Sequence, residues 1–271
     1  MCTVSDKNGR FITGLGKEDF QLKEDGKAQQ LANVSREMSL PLTVAILIDA
    51  SLSVNPVLSL EKRTAKEFLQ SVLREEDLAL VMGFDRNTTI PLELTSDMAQ
   101  LERAVDSIGV GQGTSLHDAI YAVCAEKLMN QGGRKVIVLI SDGEDTTSLM
   151  KLGNALEAVR RADAIVYSIS NRFSSGGTSA GDRVLNRYAE ETGGRAFLSA
   201  DVQELRSAFD AIQQELRGQY GLNYDSFNTA QDGSYRKLKV ALTKHPEFKV
   251  RTKKGYFAPK SPSFRTVSKG D

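Results

Sequence analysis

Leu42-Thr43-Val44-Ala45-Ile46-Leu47-Ile48-Asp49-Ala50-Ser51-Leu52-Ser53 is the stretch from which the rest of the chain can be read. Leu42 to Ile48 is apolar almost without interruption and has the length of a strand. Such a run reads as a β-strand buried on both faces, the kind that sits in a parallel sheet covered by helices. It ends abruptly in one carboxylate and two hydroxyls at alternate positions, Asp49, Ser51 and Ser53, and alternate residues of an extended chain face the same side. The strand therefore builds a core and delivers three oxygen side chains to its edge.

Downstream, apolar runs alternate with stretches of helical period, as βα units require. Ala65, Phe68, Leu69, Val72 and Leu73 form one helical face that ends near Arg74. Asp77 to Phe84 and Thr88 to Leu94 read as strands joined by a short turn at Asp85 to Asn87, a hairpin that puts one antiparallel strand at the sheet edge. Ser96 reads as the N-cap of a helix carrying Leu101, Ala104, Val105 and Ile108, which the glycines of Gly109 to Gly113 stop. A third helix carries Leu116, Ala119, Ile120, Val123, Cys124 and Leu128, and Lys135 to Ile140 is the next buried strand. Helices around Leu152 to Val159, Val184 to Ala189 and Val202 to Leu216 alternate with strands at Ala164 to Ile169 and Arg195 to Leu198. The expected architecture for 39–218 is a doubly wound, Rossmann-like α/β domain, mostly parallel with one antiparallel edge strand and with helices on both faces.

The ends follow another pattern. Phe20 to Lys27 reads as a strand entering an Asp25-Gly26 turn, and Tyr220 to Tyr224, Tyr235 to Leu242 and Phe248 to Tyr256 read as further strands. A few strands bury little alone, so 1–38 and 219–260 are expected to pair into one discontinuous β appendage. The loop Asn171 to Gly181 is expected to be flexible, and 261–271 to form a disordered tail.

Composition removes several function classes. Hydrophobic residues at 40% and charged residues at 26% exclude a disordered chain. Lys+Arg and Asp+Glu both number 35, so no net field recommends nucleic acid or an anionic membrane as partner. The alternating Lys237, Lys239, Lys249, Arg251 and Lys253 read as the wet faces of strands. No run reaches the length that crosses a bilayer. Cys2 and Cys124 are too few for a disulfide framework. Because Met1 and Cys2 run straight into a strand-like stretch, we expect a longer precursor, and an exported or cell-envelope location if a leader is missing.

The chemistry gathers at one edge. Ligands of doubly wound sheets bind at the carboxyl ends of the strands, where strand order reverses. Asp49, Ser51 and Ser53 occupy one such end, Asp142 follows the strand through Ser141, and Thr114 lies in the glycine-opened loop before the third helix. Five oxygen donors with only two carboxylates suit a hard cation such as Mg²⁺. Mn²⁺ would fit as well, Ca²⁺ less so with so few charged ligands. The shell stays short of protein donors, and a carboxylate from another protein could complete it.

Asp49-Ala50-Ser51-Leu52-Ser53, Gly113-Thr114-Ser115-Leu116-His117-Asp118-Ala119 and Ser141-Asp142-Gly143 together resemble the metal-ion-dependent adhesion site of von Willebrand factor A domains. The resemblance implies that Ser51 and Ser53 bind metal directly, Thr114 directly or through water, and Asp49 and Asp142 often through water. It also implies a protein-binding or adhesion role. Lys17-Glu18-Asp19-Phe20, Glu24-Asp25-Gly26 and Gly255-Tyr256-Phe257 resemble a bacterial group of related proteins whose members are commonly predicted to be exported. His117 stands where the family frequently has tyrosine.

Other readings compete. Ser53 could instead cap a helix. Glu144 and Asp145 read as solvated or capping carboxylates beside the site. His117 with Ser115 or Ser141 invites a catalytic reading, but His117 and Asp118, adjacent on a helix, point apart. Gly109, Gly111 and Gly113 follow a helix instead of a first strand, so they do not make a dinucleotide loop. The expectation is a non-enzymatic, metal-dependent module whose partner offers Asp or Glu. The alternative is a structural or regulatory subunit, for example beside an ATPase.

Overall fold

The computed structural model describes residues 1–36, 40–52, 55–86, 93–172, 179–198 and 202–260. Four strands precede the α/β succession: β1 (Cys2–Ser5), β2 (Phe20–Glu24), β3 (Lys27–Gln29) and β4 (Leu31–Arg36). An α/β succession follows: β5 (Leu42–Asp49), α1 (Asn55–Val72), β6 (Leu78–Phe84), α2 (Met98–Ser107), α3 (Leu116–Val123), β7 (Arg134–Ser141), α4 (Leu152–Ala162), β8 (Ala164–Ser170), α5 (Ala180–Thr192), β9 (Ala196–Leu198) and α6 (Val202–Arg217). The chain ends in β10 (Tyr220–Tyr224), β11 (Tyr235–Leu242), β12 (Lys249–Thr252) and β13 (Gly255–Phe257).

The large sheet runs β6-β5-β7-β8-β9 with every pairing parallel. The chain leaves β5 for β6 on one side and returns to β7 on the other, so strand order reverses between β5 and β7. Alternation along β5 supplies both faces of the core. Val44, Ile46 and Ile48 pack with Leu58, Ala65, Phe68 and Leu69 of α1 and with Phe209 and Ile212 of α6. Ala45 and Leu47 pack on the opposite face with Leu116, Ala119 and Ile120 of α3 and with Leu156 and Val159 of α4. This is the doubly wound sheet with helices on both faces that the strand-helix alternation implied.

The expected edge strand Thr88 to Leu94 falls mostly on 87–92, outside the described residues. Beside them Thr95 bonds antiparallel to Ala79 of β6, N–H to carbonyl in both directions at 2.9 Å. The second helix starts one residue later than Ser96 suggested, because Asp97 is the cap: its carboxylate accepts from the backbone N–H of Ala99 at 2.9 Å and of Gln100 at 3.2 Å. The third helix widens into a π-helical last turn over Cys124–Leu128, with Cys124 fully buried on its inner face.

The termini build two antiparallel sheets, β12-β1-β10-β4 and β13-β11-β2-β3. They enclose a second core of Val4, Phe20, Leu22, Leu31 and Tyr220. Phe248 to Tyr256 is not one strand. The chain changes sheet at Lys253-Lys254, where Lys254 N–H donates to the Glu191 carbonyl of α5 at 3.1 Å and Lys253 Nζ meets Asp163 at 2.6 Å. β12 then pairs with β1 while β13 pairs with β11.

Glu24 ties the two sheets together. Its carboxylate accepts from Tyr224 at 2.7 Å, Tyr256 at 2.9 Å and Ser226 at 2.6 Å, and it faces the buried Arg236 guanidinium at 3.4 Å. Burial opposes its ionisation, but those hydroxyls and the Arg236 charge outweigh burial and hold the carboxyl below its ordinary range. Glu24→Ala strands Arg236 without its counter-ion. The expected result is a clearly lower urea midpoint and loss of the terminal sheets from hydrogen-exchange protection. An unchanged midpoint would mean that the cluster is not what joins them.

Candidate metal centre

β5 and β7 run side by side in register, so their ends bring Asp49 and Ser141 together at the reversal of strand order. Asp49 is fully buried. One carboxylate oxygen accepts the Ser51 backbone N–H at 2.9 Å, and the other accepts the Ser141 hydroxyl at 2.7 Å. Burial pushes its carboxyl above the ordinary range; the Ser51 and Ser141 hydrogen bonds work against the shift, and the Asp142 charge adds to it. A cation at this place would supply the positive charge that the buried carboxylate lacks.

Ser51 and Thr114 are both buried. The loop around Thr114 is pinned from several sides. Its N–H donates to the Thr146 hydroxyl at 2.9 Å, and its carbonyl accepts from Thr146 and Thr147 at 2.9 and 3.1 Å. Among the described residues no partner engages its side-chain hydroxyl. The glycine loop before it is stitched to the motif by Gly111 N–H on the Ala50 carbonyl at 2.7 Å, and Ala50 N–H donates to Phe84 of β6 at 2.8 Å.

Asp142 leaves β7 half-buried, with one oxygen accepting Glu144 N–H at 2.9 Å. Gly143 follows in the left-handed region with φ of 78°. A Cβ there would lie 2.3 Å from the Gly181 carbonyl oxygen. Only glycine lets the α5 entry press this closely against the turn that aims Asp142.

The structure thus brings Asp49, Ser51, Thr114 and Asp142 to one edge of the sheet, and Ser53, the fifth expected donor, lies outside the described residues. Among the described residues no three Asp, Glu, His or Cys side chains converge on a metal-sized space. The donor set is instead carboxylates mixed with hydroxyls, chemistry that fits a hard divalent cation and not a thiolate- or imidazole-loving one.

His117 is taken up by the scaffold. Its ring is buried, Nδ1 lies 2.9 Å from the Tyr188 hydroxyl, and its N–H donates to Ser148 Oγ at 3.1 Å. Burial lowers its pKa, with the charges of Asp145 and Asp118 acting the other way. The Asp118 carboxylate points elsewhere, accepting N–H groups of Leu149 and Met150 at 3.0 and 2.8 Å. Asp145 accepts the Ser148 hydroxyl at 2.5 Å. These contacts hold the 145–150 loop against the start of α3.

Two polar residues escaped the sequence reading. Glu61 of α1 is fully buried, and neither carboxylate oxygen has a well-formed hydrogen bond among the described residues. Burial raises its pKa to about 8; the buried Asn171 beside it eases the shift and the Asp49 charge adds to it. The signal was present, since Glu61 follows Leu58 by three residues on the helix stripe that buries Ala65 and Phe68. Ser141 was read as part of a motif and as a possible nucleophile, but not for its place here, where its hydroxyl holds Asp49.

The chain is thus a doubly wound α/β domain with oxygen side chains gathered where strand order reverses. Residues 43–211 match the von Willebrand factor type A domain, and the chain belongs to that family. Among solved structures it is similar to a von Willebrand factor type A protein from Catenulispora acidiphila, at 16% identity over 77% of this chain and 52% of that one, with a TM-score of 0.58. It is also similar to an aerotolerance-related membrane protein from Bacteroides fragilis, at 22% identity over 66% of this chain and 100% of that one, TM-score 0.53. A third likeness is to the vWF domain of the type V pili tip protein Mfa5 from Porphyromonas gingivalis, at 13% identity over 69% of this chain and 99% of that one, TM-score 0.51. The chain thus spans about half the length of the Catenulispora protein. No curated protein sequence matches it. Likenesses at these identities establish the fold.

Proposed function

We propose that the chain is a protein-binding module that holds a divalent cation, Mg²⁺ by preference, through Asp49, Ser51, Ser53, Thr114 and Asp142, and that a partner's Asp or Glu completes the shell. The observation that carries this reading is the buried Asp49 carboxylate at the reversal of strand order, with the buried Thr114 beside it on the same edge offering a hydroxyl that no partner engages among the described residues. Von Willebrand factor type A domains commonly bind a divalent metal, and one structural neighbour is a pilus tip protein. When bound, the cation supplies an electrophilic coordination position. The chain's own residues orient it: Ser141 and the Ser51 N–H fix Asp49, and the Gly143 turn fixes Asp142.

The role is recognition without turnover, in keeping with a buried His117 ring whose Nδ1 is taken up by the Tyr188 hydroxyl. Among the described residues no helix is long and apolar enough to cross a membrane. An exported or envelope location is part of the proposal, in keeping with the pilus and membrane proteins among its structural neighbours.

Calorimetric titration of Mg²⁺ and Mn²⁺ into wild type, Asp49→Ala and Ser51→Ala/Ser53→Ala tests it. Wild type should bind, and both variants should lose binding while keeping the wild-type circular dichroism spectrum. No binding by folded wild type would refute the metal dependence.

A further inference from the structure

Neutral as a whole, the chain is not neutral in its parts. Residues 1–38 and 219–260, which build the terminal sheets, hold fifteen Lys and Arg against nine Asp and Glu, whereas 39–218 hold eighteen against twenty-five. Part of the positive excess is used where the two parts meet. Arg251 pairs with the buried Glu215 at 2.5 Å, Lys253 with Asp163 at 2.6 Å and Lys254 with Glu191 at 3.3 Å.

Another part gathers on one sheet face. β2 and β11 turn Leu22, Glu24, Leu238 and Val240 toward the terminal core, so Lys23, Lys237 and Lys239 project from the opposite face. Lys237 and Lys239 are exposed and Lys23 is half-buried. The register sets Lys239 directly opposite Lys23, a like-charge pair that costs stability. Among the described residues none of the three lysines has a salt-bridge partner. Their neighbours on this face are Gln21, Ala28, Ala241 and Gly255, and no carboxylate stands among them.

The terminal sheets also sit at the pole opposite the oxygen cradle. β4 leads into Leu42 at the start of β5, Asp163, the partner of Lys253, immediately precedes β8, and Met1 shares a small cavity with Arg134 and Lys135 at the start of β7. These are the amino ends of the parallel strands, and the cradle lies at their carboxyl ends.

We propose that the face of Lys23, Lys237 and Lys239 rests on an anionic lipid surface, with the acidic α/β domain turned away and its cradle presented outward. Opposite charge at the two poles favours this orientation on a negative surface. A bilayer suits the face better than other polyanions do. Headgroups rearrange around flexible lysines and need no pocket, whereas protein interfaces are poor in lysine and rely on apolar anchors. The aromatic rings on the same face, Tyr235 and Phe257, lie under Arg160 at 5.1 Å and Arg161 at 4.0 Å, so they are not free to stack nucleic-acid bases.

The test is co-sedimentation of the full chain with vesicles of mixed phosphatidylglycerol and phosphatidylcholine or of phosphatidylcholine alone. EDTA is present throughout, so that no cation bridges protein to lipid. The expected result is binding to the anionic vesicles only, reversed by added salt and roughly 30-fold weaker for Lys237→Gln/Lys239→Gln. That variant loses the repulsion between Lys239 and Lys23, so it should melt no lower than wild type. Lys151→Gln/Arg187→Gln, an equal loss of charge from exposed positions of the α/β domain, should bind like wild type. Wild type that stays in solution with anionic vesicles, or a control that loses as much as the lysine variant, overturns the proposal. Tighter binding to duplex DNA than to vesicles overturns it too, in favour of a nucleic-acid surface. No arm uses Mg²⁺, so failure here leaves the metal-dependent reading to its own titration.

Discussion

Replacing Glu61 with glutamine should make the protein markedly more stable at pH 9 and leave it nearly unchanged at pH 5. Glu61 is sealed inside the fold without a well-formed hydrogen bond to either oxygen among the described residues, and its carboxyl is raised from the usual 4.5 to about 8. Between those values the folded state binds a proton that the unfolded state releases, so stability falls as pH rises. The neutral acid's full contribution is present below about 4.5 and is lost as pH climbs through about 8. At pH 9 the cost is on the order of 5 kcal/mol, which glutamine, of the same shape and always neutral, does not incur. Urea melts of both proteins in EDTA across this range give the answer: wild type should weaken steadily and the variant should not. Parallel curves would show that Glu61 ionises freely. The lowered pKa of His117 acts in the other direction, removing stability as pH falls below the ordinary histidine value, so the alkaline effect stands clear of it.

Gly143→Ala should damage both fold and site. The added methyl would have to sit at a φ of 78° and 2.3 Å from a backbone oxygen, that of Gly181, where no flexible side chain can yield. Left-handed strain at a non-glycine residue costs about 1–3 kcal/mol, and the collision adds the displacement of either α5 or the turn. Asp142 is the adjacent residue, so Mg²⁺ affinity is expected to fall by roughly an order of magnitude or more, with a lower thermal midpoint. A variant that melts and titrates like wild type would mean that the turn does not set the Asp142 position. Serine at Gly109 is the control, because nothing lies within 4 Å of a Cβ there.

The buried strands were legible because each is a run of apolar residues whose pairing is dictated by its own composition. β5 and β7 were read to within a residue or two, and with them the edge that carries Asp49 and Asp142. Glu61 was not read, because a carboxylate on a helix passes for a solvated one until the neighbouring stripe is traced back to Leu58. The terminal sheets were harder still. β4 is held by β10 across the whole length of the α/β domain, Leu222 opposite Val34, and nothing local in Leu31 to Arg36 announces that partner. At the break, Lys254 N–H is anchored by the Glu191 carbonyl of α5, a distant contact that the strand's own residues do not announce. Non-local pairing and tertiary anchoring are what a single sequence conceals.

The split of the terminal sheets also dictates an order of events at the ribosome. β1 pairs only with β10 and β12 among the described strands, and β4 only with β10. Until residues 220 to 252 have emerged, β4 has no strand to join and β1 has only its local bridge from Ser5 to Phe11, while the β2–β3 hairpin can close. The parallel domain in between has all its own strands and can condense first. The growing chain thus carries the open edges of β1 and β4 beside a condensed domain, and their protection from stray pairing rests on how quickly synthesis delivers residues 220 to 252.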